Sequence, residues 1–226
     1  MKDGPNIVRI AALIGDHARA DVLTALMADR ALTATELAGI AGVTKQTISA
    51  HLTKLLEANL IAVEPQGRHR YYRLANHDVA DLIESLMGVA FRAGSVRLKS
   101  SPREPALRRA RVCYDHLAGE LGVAAFEAMV KKRVFAQEDG GIALTPAGRG
   151  WFSQLGIDAD ANSASRRPLC RTCMDWGERR HHLAGSLGAA LLSQILARGW
   201  ARRAKDSRVV AFTLPGELAF SQLIQA

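Results

Sequence analysis

No run of about eighteen predominantly apolar residues occurs in this 226-residue chain, which leaves no candidate for a membrane-spanning helix. The opening stretch, MKDGPNIVRIAALIGDHARAD, interrupts its apolar residues with Arg9 and follows them with Asp16 and His17, so it does not read as a secretory leader. Cysteine is scarce: Cys113, Cys170 and Cys173 are too few for a disulfide framework, and reduced thiols in a cytoplasmic protein are expected. Aromatic residues make up only 5%, which argues against a stacking platform for single-stranded nucleic acid. Also missing are a Gly-rich phosphate loop, paired carboxylates, a nucleophile elbow and a second Cys-x-x-Cys. The common signatures of nucleotide chemistry, acyl transfer and four-cysteine zinc binding are therefore absent.

What the chain does have is positive charge. Thirty Lys and Arg against 22 Asp and Glu give a net +8, a balance suited to an anionic partner, nucleic acid before a membrane surface. Hydrophobic residues at 48% and charged residues at 23% are ordinary globular values, and the length allows one or two domains.

The first quarter reads as a series of capped helices. Ile7, Ile10, Ala11 and Ile14 share one face of a helix that Gly15 ends, and Asp16 caps a second helix that buries Val22, Leu23, Leu26 and Met27. Thr33 or Thr35 opens TELAGIAG, closed by Gly42. Thr44 then caps KQTISAHLTKLLEAN, in which Ile48, Leu52, Leu55 and Leu56 form the apolar face. The opposite face carries Thr44, Lys45, Gln46, Thr47, Ser49, Ala50 and Lys54. These side chains are small, hydroxylic, amide-bearing or basic, and a face with so few acids can approach base edges and phosphates without repulsion. LIAVEPQGRHRYYRL (60–74) follows as two strands around a turn at Pro65–Gln66–Gly67, with Arg68, His69 and Arg70 offering cationic or titratable groups to the DNA backbone or minor groove.

The run TATELAGIAGVTKQTISAHLTKLLEANLI…GRHRYYRL resembles the winged helix-turn-helix of ArsR-type bacterial repressors over residues 6–92, most specifically in TISAHLTKLLEANLI and GRHRYYRL. The resemblance implies a homodimer that binds operator DNA and leaves it when an effector binds, with the first helix and the helix after the wing forming the dimer contact. DVADLIESLMGVAFR (78–92) fits the latter, with Val79, Leu82, Ile83 and Leu86 as dimer-helix residues on an apolar stripe continued by Ala90 and Phe91. Two metal patterns of the family are not supported. ELAGIAG holds no Cys-x-Cys, and no second histidine follows His77, Asp78 and Glu84, so His77–Asp78 is read as helix-start capping.

The expected organisation is a DNA-binding and dimerisation domain over 1–93, a linker over 94–105 marked by Gly, Ser, two prolines and basic residues, and a sensor domain over 106–226. That second domain repeats itself, in copies of about 106–157 and 170–226. HLAGELGVA (116–124) and HLAGSLGAA (182–190) agree at seven of nine positions, and IALTPAGRGWFSQL (142–155) aligns with VAFTLPGELAFSQL (210–223). Each copy reads as helix, hairpin, helix, so the fold class expected for the chain is mainly α with small β-hairpins (α+β). In the HLAG helices, Gly119, Gly122, Gly185 and Gly188 suit either close packing between the two repeat helices or close approach to a flat ligand.

Cys170-x-x-Cys173 is followed by His181 and His182, and Cys113-x-x-His116 is its partial counterpart. Three readings stay open for these residues: buried structural groups, thiol-based or soft-metal sensing favoured by nearby arginines, and structural zinc at Cys170/Cys173. Without gaps, Cys113 aligns with Arg179, which argues against a paired metal site and places any sensor in the asymmetry around Cys170 and Cys173. The resulting expectation is a homodimeric, non-enzymatic transcriptional repressor of double-stranded operator DNA, responsive to a small-molecule, metal or redox signal. The rival readings are a thiol- or metal-dependent enzyme and an architectural DNA-binding protein without effector response.

Overall fold

Side-chain caps begin most of the helices in the first part of the chain. The computed structural model describes residues 4–28, 30–67, 69–95, 104–138, 141–163, 167–175, 177–205 and 207–225. It divides into two units, Met1–Val89 and Ala90–Ala226. In the first unit, Asn6 caps α1 (Ile7–Ile14) and Asp16 caps α2 (His17–Leu26), each side chain accepting from the backbone N–H three residues on. β1 (Leu32–Thr33) leads into α3 (Ala34–Ala41), which starts with a reciprocal capping box between Thr33 and Glu36 and stops at Gly42, φ 64°. Thr44 caps α4 (Lys45–Glu57). β2 (Ile61–Gln66) and β3 (His69–Leu74) then form an antiparallel hairpin, with β1 added to its far side in the order β1-β3-β2. α5 (His77–Arg92) closes the unit. Leu23, Leu26, Leu37, Ile48, Leu52 and Leu55 make its buried centre, each burial contributing on the order of 1.5–3 kcal/mol.

Two local expectations change. The hairpin turn is not centred on Pro65–Gln66–Gly67: Pro65 pairs with Arg70 and Gln66 with His69, so both belong to the strands and the chain reverses after Gln66, with Gly67 at φ 58°. α5 is capped by Asn76, whose Oδ1 accepts from Val79 N at 3.1 Å, rather than by His77–Asp78.

The second unit opens with α6 (Pro105–Arg109), β4 (Arg111–Cys113) and β5 (His116–Ala118). α7 (Glu120–Lys131), β6 (Phe135–Glu138), β7 (Gly141–Leu144) and α8 (Pro146–Gln154) follow. After α9 (Ala159–Ser163) come β8 (Arg171–Asp175), β9 (Arg180–Ala184) and α10 (Gly185–Ala197). β10 (Ala201–Arg203), β11 (Val210–Phe212) and α11 (Leu214–Gln225) end it. Each of these strands pairs with its neighbour in an antiparallel hairpin. From β4 to α8 and from β8 to α11 the succession is the same: hairpin, helix, hairpin, helix. The helices pack crosswise, α7 on β9 and α10 on β5. Leu117 and Leu183, Leu121 and Leu187, and Phe152 and Phe220 are buried in one shared core.

The doubled phrase HLAG is therefore not a helix, as its periodicity suggested. Each HLA is the second strand of a hairpin, and each glycine is the joint into the helix. Gly119 and Gly185 sit at φ 85° and 83°, and an added Cβ would lie 2.6 Å from Arg108 O or 2.7 Å from Pro168 O. Gly122 and Gly188 let the helix lie over the preceding strand, where a Cβ would meet Leu117 O at 2.5 Å or Leu183 O at 2.6 Å. Gly119 and Gly185 thus accommodate the backbone of the segment that leads into their hairpin, and Gly122 and Gly188 that of the hairpin's second strand, rather than the other repeat's helix. The void lined by Gly122 and Gly188 is about 10 Å³, room for one water at most and not for a flat ligand.

Candidate nucleic-acid interface and a buried Cys–His cluster

α4 buries Ile48, Leu52 and Leu55, which fixes its orientation. Leu56, also expected on the apolar face, is only half-buried. The consequence is that Thr44, Lys45, Gln46, Thr47, Ser49, Ala50 and Lys54 are all exposed. Part of their polarity is used locally. Thr44 Oγ1 accepts from Thr47 N and lies 2.9 Å from Thr47 Oγ1, and Ser49 Oγ donates to Lys45 O at 2.9 Å. At the hairpin tip His69 and Arg70 are exposed. Arg68, expected beside them, lies outside the described residues.

Arg19 braces this helix from behind. Its guanidinium donates to Ala12 O and Leu13 O at the end of α1 and lies 3.2 Å from His51 Nδ1 on α4. The stripe on α5 divides. Val79 and Ile83 are buried in their own unit, whereas Leu82 and Leu86 are exposed, together with Val89. Val79 and Ile83 are thus core residues, a correction to their reading as dimer contacts. On α1, Ile7 and Val8 are 76% and 73% exposed, an arrangement water does not favour for a helix start.

A polar recognition helix braced against a three-stranded wing defines a DNA-binding winged helix-turn-helix. The helix-turn-helix domain family matches residues 14–64. An uncharacterized HTH-type transcriptional regulator of Bacillus subtilis, YdfF, is 44% identical over 218 residues, 96% of either chain. The HTH-type transcriptional regulator KmtR of Mycobacterium tuberculosis is 34% identical over 88 residues, 39% of this chain and 67% of that protein. Among solved structures, a homodimeric winged helix-turn-helix domain from Mycobacterium bovis, described as a possible ArsR-family regulator, is 24% identical with a TM-score of 0.37, covering 43% of this chain and 97% of its own. The chain belongs to the HTH-type transcriptional regulators.

In the second unit the structure brings together Cys113, His116, Cys173 and His182. β4 and β5 pair Cys113 with His116, and β8 and β9 pair Cys173 with His182, so each hairpin presents one cysteine opposite one histidine. The two sulfurs are 4.0 Å apart and the two Nε2 atoms 3.2 Å apart. Both imidazoles are fully buried, Cys173 is buried but for 7% of its surface, and Cys113 is half-buried. Burial pushes the His182 imidazole below its ordinary pKa, which keeps it neutral. The Cys113 thiol is held well below the ordinary range, chiefly by its hydrogen bond with Cys173 and against burial, with His116 and His182 adding to the effect. Behind the histidines stand two carboxylates. Asp115 Oδ1 lies 3.3 Å from His116 Nδ1, and Asp175 Oδ2 lies 4.0 Å from His182 Nδ1. Arg167 grips Asp115 with both guanidinium nitrogens, and Arg111 pairs with Asp175. Burial raises the Asp115 pKa, but His116 and Arg167 outweigh it and hold the carboxyl at about 2.

The other two candidates are elsewhere. Cys170 donates to Ile142 O at 3.4 Å and is not in the cluster, and burial raises its thiol pKa. His181 alternates to the exposed face of β9. Of the Cys170/Cys173 pair only Cys173 thus joins the cluster, and the ungapped match of Cys113 to Arg179 is misleading: Arg179 lies in the β8–β9 turn. The second hairpin has eight residues between its cysteine and histidine where the first has two. With that insertion the correspondence becomes Cys113 to Cys173, 60 residues apart. A sequence signal for it exists in RVCYD (111–115) and RTCMD (171–175), both Arg-x-Cys-x-Asp, which name the cysteine, the strand that carries it and the carboxylate two residues on.

Proposed function

We propose that this regulator is a homodimeric repressor that reads a pseudo-palindromic operator in double-stranded DNA. α4 enters the major groove with Thr44, Gln46, Thr47, Ser49 and Ala50 toward the bases and Lys45 and Lys54 toward phosphates. His69, Arg70 and Arg68 of the wing reach the backbone or the adjacent minor groove. The observation that carries the reading is the exposure of this hydroxylic, amide-bearing and basic α4 face, on which Glu57 at the C-terminal end is the one acid, held outward by the buried Ile48, Leu52 and Leu55. The exposed apolar side chains Ile7, Val8, Leu82, Leu86 and Val89 support a self-association surface built from α1 and α5. The second unit is read as two copies of a hairpin–helix–hairpin–helix unit that receive the signal, and the protein acts in the cytoplasm.

The test is footprinting and titration of the full chain on its own promoter region, with Gln46→Ala/Ser49→Ala as the variant. Sequence preference disappears while salt-sensitive residual binding persists. Unchanged operator affinity in that variant overturns the groove assignment. A repressor further requires that transcription from the promoter rise when the chain is removed.

A further inference from the structure

We propose that Cys113, His116, Cys173 and His182 form a site for one tetrahedrally coordinated d10 divalent cation of the zinc type, held entirely by this chain. The distances fit. With metal–sulfur bonds of about 2.3 Å and metal–nitrogen bonds of about 2.0–2.1 Å, a tetrahedron has a sulfur–sulfur edge of about 3.8 Å and a nitrogen–nitrogen edge of about 3.3 Å. The corresponding separations here are 4.0 Å and 3.2 Å, and all four donor atoms lie within 4.8 Å of one another. Few atomic shifts separate this arrangement from a coordinated one.

The directions fit as well. Both imidazoles turn Nε2 inward and Nδ1 toward a carboxylate, the pattern in which an outer carboxylate fixes the tautomer of a metal-binding histidine. Two buried Nε2 atoms facing each other at 3.2 Å share at most one proton between them, and a cation satisfies both lone pairs. Nδ1 of His182 has no hydrogen-bond partner among the described residues, although it is wholly buried. Metal on Nε2 puts the proton on Nδ1, from which a closure from 4.0 Å completes a bond to Asp175. Charge fits too, since two thiolates neutralise a divalent ion, and the donor set of two sulfurs and two nitrogens is that of tetrahedral zinc.

The ligands come in pairs from two hairpins, β4–β5 and β8–β9, so the ion ties the two halves of the second unit together. Four protein ligands leave no open position for a substrate, which makes this a structural or signal-bearing centre and not a hydrolytic one. The inference does not depend on operator recognition, and its test uses no DNA.

The full chain, purified under reductant and stripped with a chelator, is titrated with Co²⁺ as the spectroscopic probe and then with Zn²⁺. One Co²⁺ per chain is expected, with visible bands of tetrahedral geometry and a near-ultraviolet thiolate-to-cobalt band, all erased by one equivalent of Zn²⁺. Cys113→Ser weakens binding by about 100-fold or more, beyond the 10–100-fold typical of losing an outer-shell partner. Cys170→Ser and His181→Ala leave it unchanged. In the wild-type chain Zn²⁺ protects Cys113 and Cys173 but not Cys170 from alkylation, a readout that needs no variant. The proposal is overturned if the reduced, folded chain gives no such spectrum, if Cys170→Ser abolishes it, or if alkylation of Cys113 and Cys173 is indifferent to Zn²⁺.

Discussion

Arg111 and Asp175, 64 residues apart in the chain, form an ion pair buried between the two hairpins of the second unit. Arg111 also donates to Leu107 O, and Asp175 accepts from the backbone N–H groups of Gly119, Gly177 and Glu178. Asp175 is thus a hub joining β4, the Gly119 joint and the β8–β9 turn. Truncating it strands a buried guanidinium and three donors. Asp175→Ala should cost about 3–5 kcal/mol in urea unfolding of the reduced chain, with Asp175→Asn less damaging because its amide oxygen still accepts. A loss below about 1 kcal/mol for the alanine variant would show that the hub is replaceable.

The glycine joints give a second prediction, with a built-in control. Gly119→Ala places a methyl 2.6 Å from a backbone carbonyl at φ 85°, whereas at Gly199, φ 67°, an added Cβ meets nothing within 4 Å. Strain alone costs roughly 1–3 kcal/mol, and the clash adds to it. Thermal unfolding should therefore rank Gly119→Ala well below Gly199→Ala, with Gly185→Ala close to the former. Equal melting temperatures for Gly119→Ala and Gly199→Ala would remove steric contact as the reason for the conserved phrase between the two halves.

The first unit was legible because its signals are local. Asp16, Thr33 and Thr44 are caps that act within one turn, and Ile48, Leu52 and Leu55 state a helix face by spacing alone. The site in the second unit was not, because its geometry depends on strand pairing. A three-residue strand such as His116–Ala118 carries too little alternation to outweigh the helical spacing of the leucines and glycines after it. The hairpins differ in loop length, and a gapless comparison therefore separates Cys113 from Cys173. On α5 the period was read correctly but not the partition: burial within the unit claims Val79 and Ile83 and leaves Leu82 and Leu86 outward.

Acid should weaken the first unit through Asp16. The Arg19 backbone N–H bonded to its carboxylate is the chief reason its pKa is lowered, opposed by burial and aided by the charges of Arg19 and His51. A folded pKa below the unfolded one, about 3.9, contributes stability that is fully present above that value and is lost as pH falls through the folded pKa. Asp16→Asn keeps an N-cap acceptor without the charge, so its stability should vary less with pH below about 4 than the wild type. Asp16→Ala should lose about 1 kcal/mol at neutral pH. Identical acid unfolding curves for wild type and Asp16→Asn would exclude this carboxylate as a contributor.

The split stripe on α5 sets the last test. If Leu82 and Leu86 meet a second copy, a charge at either position faces an apolar surface on association but water in the isolated chain. Leu86→Glu should therefore sediment as a monomer at concentrations where the wild type is a dimer, while its helix content and unfolding midpoint in the monomer remain close to normal. Ile83→Glu should behave differently, because Ile83 is buried within its own unit and an unpaired carboxylate there lowers stability before any association is measured. Dimeric repressors hold two recognition helices about 34 Å apart, one turn of DNA, so the Leu86→Glu monomer should protect a single half-site and lose affinity steeply. A Leu86→Glu chain that still sediments as a dimer would place the self-association surface elsewhere, with the exposed Ile7 and Val8 of α1 the next residues to charge.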